Sequence, residues 1–192
     1  MMKGDTKTAI LDAAQALIQR GGANAMSFQD ISVAIGIRKA SIHHHFPTKE
    51  ALLEALIRRY AEYFLSIVDA IVDSKKDPVE KLRAYAGLFE ATMSEGQQDK
   101  ACLCGMLGAE LSTLGGPSVA GVRRFYRDNE ARLVRILEEG KEKGVFHFKG
   151  EATLVAAMIF SLLEGGALVA RAEGGHKQLH AMAEQMLKLL QR

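Results

Sequence analysis

Apolar residues recur with the period of a helix along nearly the whole chain. Ile10, Leu11, Ala14, Leu17 and Ile18 share one stripe of a 3.6-residue repeat, which predicts an amphipathic helix stopped by Gly21-Gly22. Asp5 and Thr6 stand where a cap would open it. A short second helix is expected from Ser27, because Ser27 and Asp30 are spaced for reciprocal capping. Phe28, Ile31 and Ile35 then point inward, and Gly36 ends the element. After this single glycine turn comes another periodic segment, residues 38–45, with Ile37, Ile42 and Phe46 as its apolar contacts. Pro47 breaks it, and Thr48 is placed to cap a long amphipathic helix over 48–73 that carries Leu52, Leu53, Leu56, Ile57, Tyr60, Phe64, Ile67, Val68 and Ile71.

Every later segment also reads as helix. Asp77-Pro78 is a cap followed by proline at the first helical position, and Val79, Leu82, Tyr85, Phe89 and Met93 mark the inner face as far as Gly96. Helices are expected over 101–114, closed by Gly115-Gly116-Pro117, and over 118–143. A short extended connector at 144–148 leads to two last helices, 151–172 and 176–191, divided by Gly174-Gly175. The pattern is all-α, about nine helices, short ones first and long ones after, with no internal repeat.

Composition narrows this picture only a little. At 192 residues, 48% hydrophobic and 25% charged, the chain can bury a real core, and three prolines leave room for long helices. No apolar run follows Lys3, so the start does not read as a signal peptide. The longest apolar stretch, residues 152–170, is interrupted by Glu164 and reads as a buried helix rather than a membrane span. Cys102 and Cys104 cannot staple a secreted fold, so a cytoplasmic protein with no membrane partner is expected. Charge is uneven: the first sixty residues hold eight Lys or Arg against five acids, a balance of +3, while the remainder holds 17 against 18, or −1. A nucleic-acid face at the N-terminal end fits that asymmetry.

Two short helices joined by a glycine turn and packed on a preceding helix make a helix-turn-helix. The second helix can enter a major groove if one face is anchored, here by Ile42 and Phe46, and the other protrudes. Arg38 and Lys39 are candidates for guanine edges or phosphates, Ser41 for either, and Ala40 for close approach to a thymine methyl. Lys49, beside Thr48, and Ser27 sit at helix N-termini that favour a phosphate. On pattern alone, a small helical domain with a solvated basic edge remains the alternative. Metal binding by His43-His44-His45 is not expected, because neighbours at successive helical positions diverge and cannot hold one ion.

The runs Ile10-Leu11-Asp12-Ala13-Ala14, Ser27-Phe28-Gln29-Asp30-Ile31, Ala34-Ile35-Gly36-Ile37 and Lys39-Ala40-Ser41-Ile42-His43-His44-His45-Phe46-Pro47-Thr48-Lys49-Glu50-Ala51-Leu52 resemble the DNA-binding domain of TetR-type regulators. The resemblance covers roughly residues 6–60. It implies a DNA-binding domain over 1–50 with its motif at 27–46, the helix over 48–73 leading into a helical ligand-binding and dimerisation domain over 51–192. The family pattern has an aromatic pair where this chain has His43 and His44, so contacts to DNA there become pH-dependent. His45 matches the family's usual histidine.

The resemblance also implies operator DNA, a second copy of the chain and a small-molecule effector as partners, and no cofactor. Leu154, Val155, Met158, Leu162, Leu179, Met182 and Met186 are the candidate dimer surface. Phe89, Met93, Met106, Glu110, Phe125, Tyr126 and Phe160 are candidates for lining the effector pocket, with ordinary core packing as the alternative for each. Cys102, near Lys100 and a helix start, raises the alternative of a thiol-sensing repressor, against a buried structural cysteine. An enzyme in the helical bundle is the remaining class, but the sequence has no phosphate-cradling glycine loop, zinc spacing or nucleophile elbow. The reading is a ligand-responsive, sequence-specific transcriptional repressor, not an enzyme.

Overall fold

The computed structural model describes residues 3–93, 99–173 and 177–192. Expectations placed on Gly96, on Gly174-Gly175 and on a helix start at His176 lie outside the described residues. Among those described, the helices are α1 (Lys3–Gly21), α2 (Phe28–Ile35), α3 (Lys39–His45), α4 (Lys49–Val72), α5 (Pro78–Ala91), α6 (Leu103–Ala109), α7 (Gly116–Glu142), α8 (Ala152–Ala172) and α9 (Lys177–Leu190), with a 3-10 turn at Leu111–Thr113. The fold is all-α. α1 begins at Lys3, ahead of the expected cap, so Thr6 lies inside the helix.

The chain divides into two compact units: Met1–Glu62 with Leu103–Arg124, and Tyr63–Cys102 with Phe125–Arg192. The first unit therefore reaches beyond residue 50 and recruits a later segment. Its interior joins Ile10, Ala14 and Ile18 of α1, Ile31 of α2, Ile42 of α3, Leu52 and Leu56 of α4, Leu103 and Leu107 of α6, and Val122 of α7. Leu17 and Ile35, on the flanks of their stripes, are half-buried. Arg59 of α4 ties back to α1, its guanidinium 2.7 Å from Asp12 and 3.1 Å from the Gln15 side-chain oxygen.

One expected helix is broken. Instead of running over 101–114, α6 stops at Ala109, Glu110 leaves helical geometry (φ −113°, ψ 17°), and a 3-10 turn follows. Gly116 and Pro117 do not separate elements but form the first turn of α7, where proline's missing N–H leaves no bond unmade.

In the second unit α5, α8 and α9 pack on one another. Asp77 and Glu80 cap α5 reciprocally, with Pro78 at its first position as expected. Arg132 of α7 holds Asp69 of α4 through two bonds of 2.8 and 2.7 Å, and buried Lys81 reaches Glu139 at 2.7 Å. Phe146 closes the connector over Gly140, where an added Cβ would lie 2.0 Å from the ring. α8 is long and apolar enough to cross a membrane, and only 33% of its most apolar stretch is buried in the single chain. The expectation of a buried helix therefore holds for one side only: Ile159, Phe160 and Leu163 face inward, while Leu154 and Met158 are exposed.

Candidate nucleic-acid interface

Local capping sets the angle between α2 and α3. The Ser27 amide donates to Asp30 Oδ2 at 2.8 Å, and the Asp30 amide donates to Ser27 Oγ at 3.3 Å. Gly36 adopts φ +67°, in the left-handed region that glycine enters freely, and turns the chain within one residue. Ser32 Oγ then donates to the Ile37 carbonyl at 2.6 Å and pins the turn. α3 is held by Ile42, fully buried, and by Phe46 just past its end. Burying such a side chain stabilises by roughly 2 kcal/mol, enough to fix a two-turn helix whose other positions stay polar.

Arg38, Lys39, Ala40, Ser41, His43 and His44 are all exposed around that anchor, so the structure brings them together on one protruding edge. The His43 ring stands edge-on to Phe28 at 4.9 Å, with Nδ1 3.3 Å from the Pro47 carbonyl. His45 is half-buried, its ring edge-on to that of His44.

Two of the expected phosphate contacts need correction. Lys49 is half-buried and its ammonium donates to the carbonyls of Ala23 (2.5 Å) and Met26 (2.7 Å), so it serves the turn before α2 instead of facing a duplex. The Ser27 hydroxyl donates to Asp30 Oδ2 at 2.6 Å. Those bonds from Ser27 hold the Asp30 carboxyl below the usual range, and a fixed negative charge there disfavours a phosphate. Thr48 does cap α4, accepting from the Ala51 amide at 3.1 Å.

The pocket candidates separate. Met106 and Glu110 belong to the first unit. Glu110 faces the turn between α1 and α2, accepting from the Ala23 amide at 2.6 Å and from the Asn24 amide at 3.2 Å, a role its sequence position did not suggest. Phe89, Met93, Phe125 and Phe160 are buried in the second unit with Tyr126 half-buried, and the rings of Phe89, Phe125 and Tyr126 all contact Phe160. Next to this cluster, Tyr85 donates to Asn129 Oδ1 at 3.1 Å, and burial, with Glu164 and Cys102 nearby, raises its pKa well above the ordinary value.

Glu164 was visible in the sequence only as an interruption. Burial pushes its carboxyl up to about 7, while a hydrogen bond from the Cys102 thiol acts the other way, and its Oε1 is buried without a partner. Cys102 is itself buried, unlike the accessible thiolates that react readily.

Of the dimer candidates, Leu154 and Met158 are exposed, Val155, Leu162 and Met182 half-buried. With Leu189, all of these but Leu154 border an apolar groove of about 490 Å³ between α8 and α9. Leu179 is instead internal, seated under Gly166, where an added Cβ would lie 2.9 Å from its methyl carbon; Met186 is also buried but reaches the groove floor.

Comparison with known proteins agrees with this architecture over both parts of the chain. Residues 10–56 match the family model for bacterial regulatory proteins of the tetR family, and residues 78–186 match the tetracyclin repressor-like C-terminal domain. A solved TetR-family transcriptional regulator from Agrobacterium tumefaciens is 33% identical, with 98% of this chain and 99% of that one superposed at a TM-score of 0.93. A TetR regulator from Legionella pneumophila is 30% identical over 99% and 100% of the two chains, with a TM-score of 0.87. Among curated relatives, the transcriptional repressor KstR2 of Mycobacterium tuberculosis is 26% identical over 78% of this chain and 74% of its own length. The uncharacterized regulator YxaF of Bacillus subtilis is 24% identical over 99% and 97%. The chain belongs to the tetR family of bacterial regulatory proteins, DNA-binding regulators of transcription.

Proposed function

We propose that this regulator is a cytoplasmic homodimeric repressor that leaves its operator when a small molecule binds the second unit. One observation carries the DNA reading: a short helix whose buried Ile42 fixes it to the core while Arg38, Lys39, Ala40, Ser41, His43 and His44 project around it. Arg38, Ala40 and Ser41 read base edges, Lys39 neutralises phosphate, and the two histidines contact the backbone. The exposed apolar groove between α8 and α9 takes the same groove of a second copy. A two-fold dimer then sets the paired α3 helices about one helical turn (~34 Å) apart.

The effector occupies the second unit near the aromatic cluster of Phe89, Phe125, Tyr126 and Phe160, where adaptable rings suit an apolar body. Binding favours a conformer whose α3 helices no longer match successive grooves, a shift of population between two states. Repression is the role of the relative KstR2, a transcriptional repressor. A mobility shift with the DNA upstream of the protein's own gene tests the reading: a discrete complex that survives excess unrelated duplex is expected, and binding lost to any competitor would refute it.

A further inference from the structure

Two carboxylates that make no DNA contact in this reading lie at one corner of the first unit. Glu110, where α6 ends, takes the amides of Ala23 and Asn24 on its carboxylate. Gly22 makes room for it: at φ +84° and without a side chain, it sits where an added Cβ would be 2.4 Å from Glu110 Oε1. The same turn is also held by Lys49, whose ammonium donates to the carbonyls of Ala23 and Met26. Met26 directly precedes the Ser27 cap of α2, and α2 packs on α3.

The grip is reciprocal. Glu50, next to Lys49 on α4, accepts from the amides of Gly115 (3.1 Å) and Ser118 (3.2 Å) and so caps α7 from 65 and 68 residues away. Gly115 again leaves the space, since an added Cβ would lie 2.6 Å from the Glu50 carboxyl carbon. The end of α6 is thus latched to the turn before α2, and the start of α7 to α4, by two carboxylates. Both ends of the segment Leu103–Arg124 continue directly into the second unit.

We propose that Glu110 is a positioning residue for operator recognition: by holding the Ala23 and Asn24 amides it fixes the turn that orients α2 and α3. The inference rests on the DNA-binding reading above. A cap of only structural importance changes stability, whereas a positioning contact changes the preference for operator over unrelated DNA.

The experiment uses the full chain, a labelled duplex from the region upstream of its own gene and an unrelated duplex of equal length, read by fluorescence anisotropy at fixed salt. Hydrogen exchange at Ala23 and Asn24 is followed in parallel. Glu110→Ala is expected to speed that exchange and to lower operator affinity about tenfold, with affinity for the unrelated duplex unchanged. Glu110→Gln, which keeps one acceptor oxygen, is expected to recover part of the loss, and it decides the question alone if Glu110→Ala does not fold. Faster exchange with operator affinity kept within about twofold would overturn the proposal, as would equal weakening on both duplexes. Failure of the wild-type protein to prefer its upstream duplex would bring down the DNA-binding reading, and this inference with it.

Discussion

α3 and α8 carry their polarity in opposite senses. α3 is apolar inside and charged outside, with Ile42 buried beneath exposed Arg38, Lys39, His43 and His44. α8 exposes Leu154 and Met158 and buries the carboxyl of Glu164. The first arrangement is ordinary for a surface helix and becomes informative only because the exposed charges crowd a short, protruding element. The second inverts the ordinary rule on both faces, and each inversion has a physical consequence. Exposed apolar area asks for a partner, and a buried acid makes the fold sensitive to pH.

The largest effect that would break this contrast is a charge placed on the exposed side of α8. Met158→Asp is expected to turn dimer into monomer in analytical ultracentrifugation, and to weaken operator binding by more than about a hundredfold, since paired half-site contacts are then lost. A dimer that survives the substitution would show that the groove between α8 and α9 is not the shared surface.

The buried acid of α8 gives the next effect. Its folded pKa, about 7, lies above the ordinary value of 4.5, so the folded state holds the proton more tightly than the unfolded chain. Glu164 therefore costs nothing at low pH, and its penalty grows as pH rises from about 4.5 and is complete above about 7. Glu164→Gln is expected to stabilise the protein relative to wild type at pH 8 by up to about 3 kcal/mol, and by much less at pH 5. Parallel melting curves of the two proteins across that range would refute the assignment.

On α3 the expected changes are smaller and concern discrimination. Arg38→Ala should cost about 1–3 kcal/mol on the operator and little on unrelated DNA, whereas Lys39→Ala should weaken both alike and flatten the salt dependence by about one unit. Identical behaviour of the two variants in salt titrations would collapse the division between base reading and phosphate contact. The smallest effect belongs to His43 and His44. Replacing both by Ala should lower operator affinity at fixed salt by about a few-fold in fluorescence anisotropy. An unchanged affinity would remove them from the interface.

What could be read from the sequence follows the distance over which each interaction acts. The caps at Ser27, Thr48 and Asp77 are formed by residues three apart, and all three occur where the spacing predicts. The anchor pair Ile42 and Phe46 was equally legible, because burial of one helix face leaves a periodic trace. Lys49 misled for the opposite reason. A lysine at a helix start looks like a phosphate ligand, and nothing nearby in the sequence reveals that two carbonyls more than twenty residues upstream take its protons. Glu110 and Glu50 act across 65 to 87 residues, and the only local hint of either is a glycine at the receiving end, Gly22 or Gly115. The break in the 101–114 helix has the same origin, since Glu110 leaves the helix where its carboxylate meets a distant turn.

The interior shared by α1, α6 and the beginning of α7 bears on how this regulator could be rebuilt. Leu103, Leu107 and Val122 complete a core that otherwise comes from the first sixty residues. A fragment ending after α4 would leave that core open on one side, so the DNA-reading head is not a cassette that a single cut can release. A chimera meant to rewire this head to another sensor must exchange two separate stretches of gene, on either side of 103–124, and leave the inserted corner with its native partner.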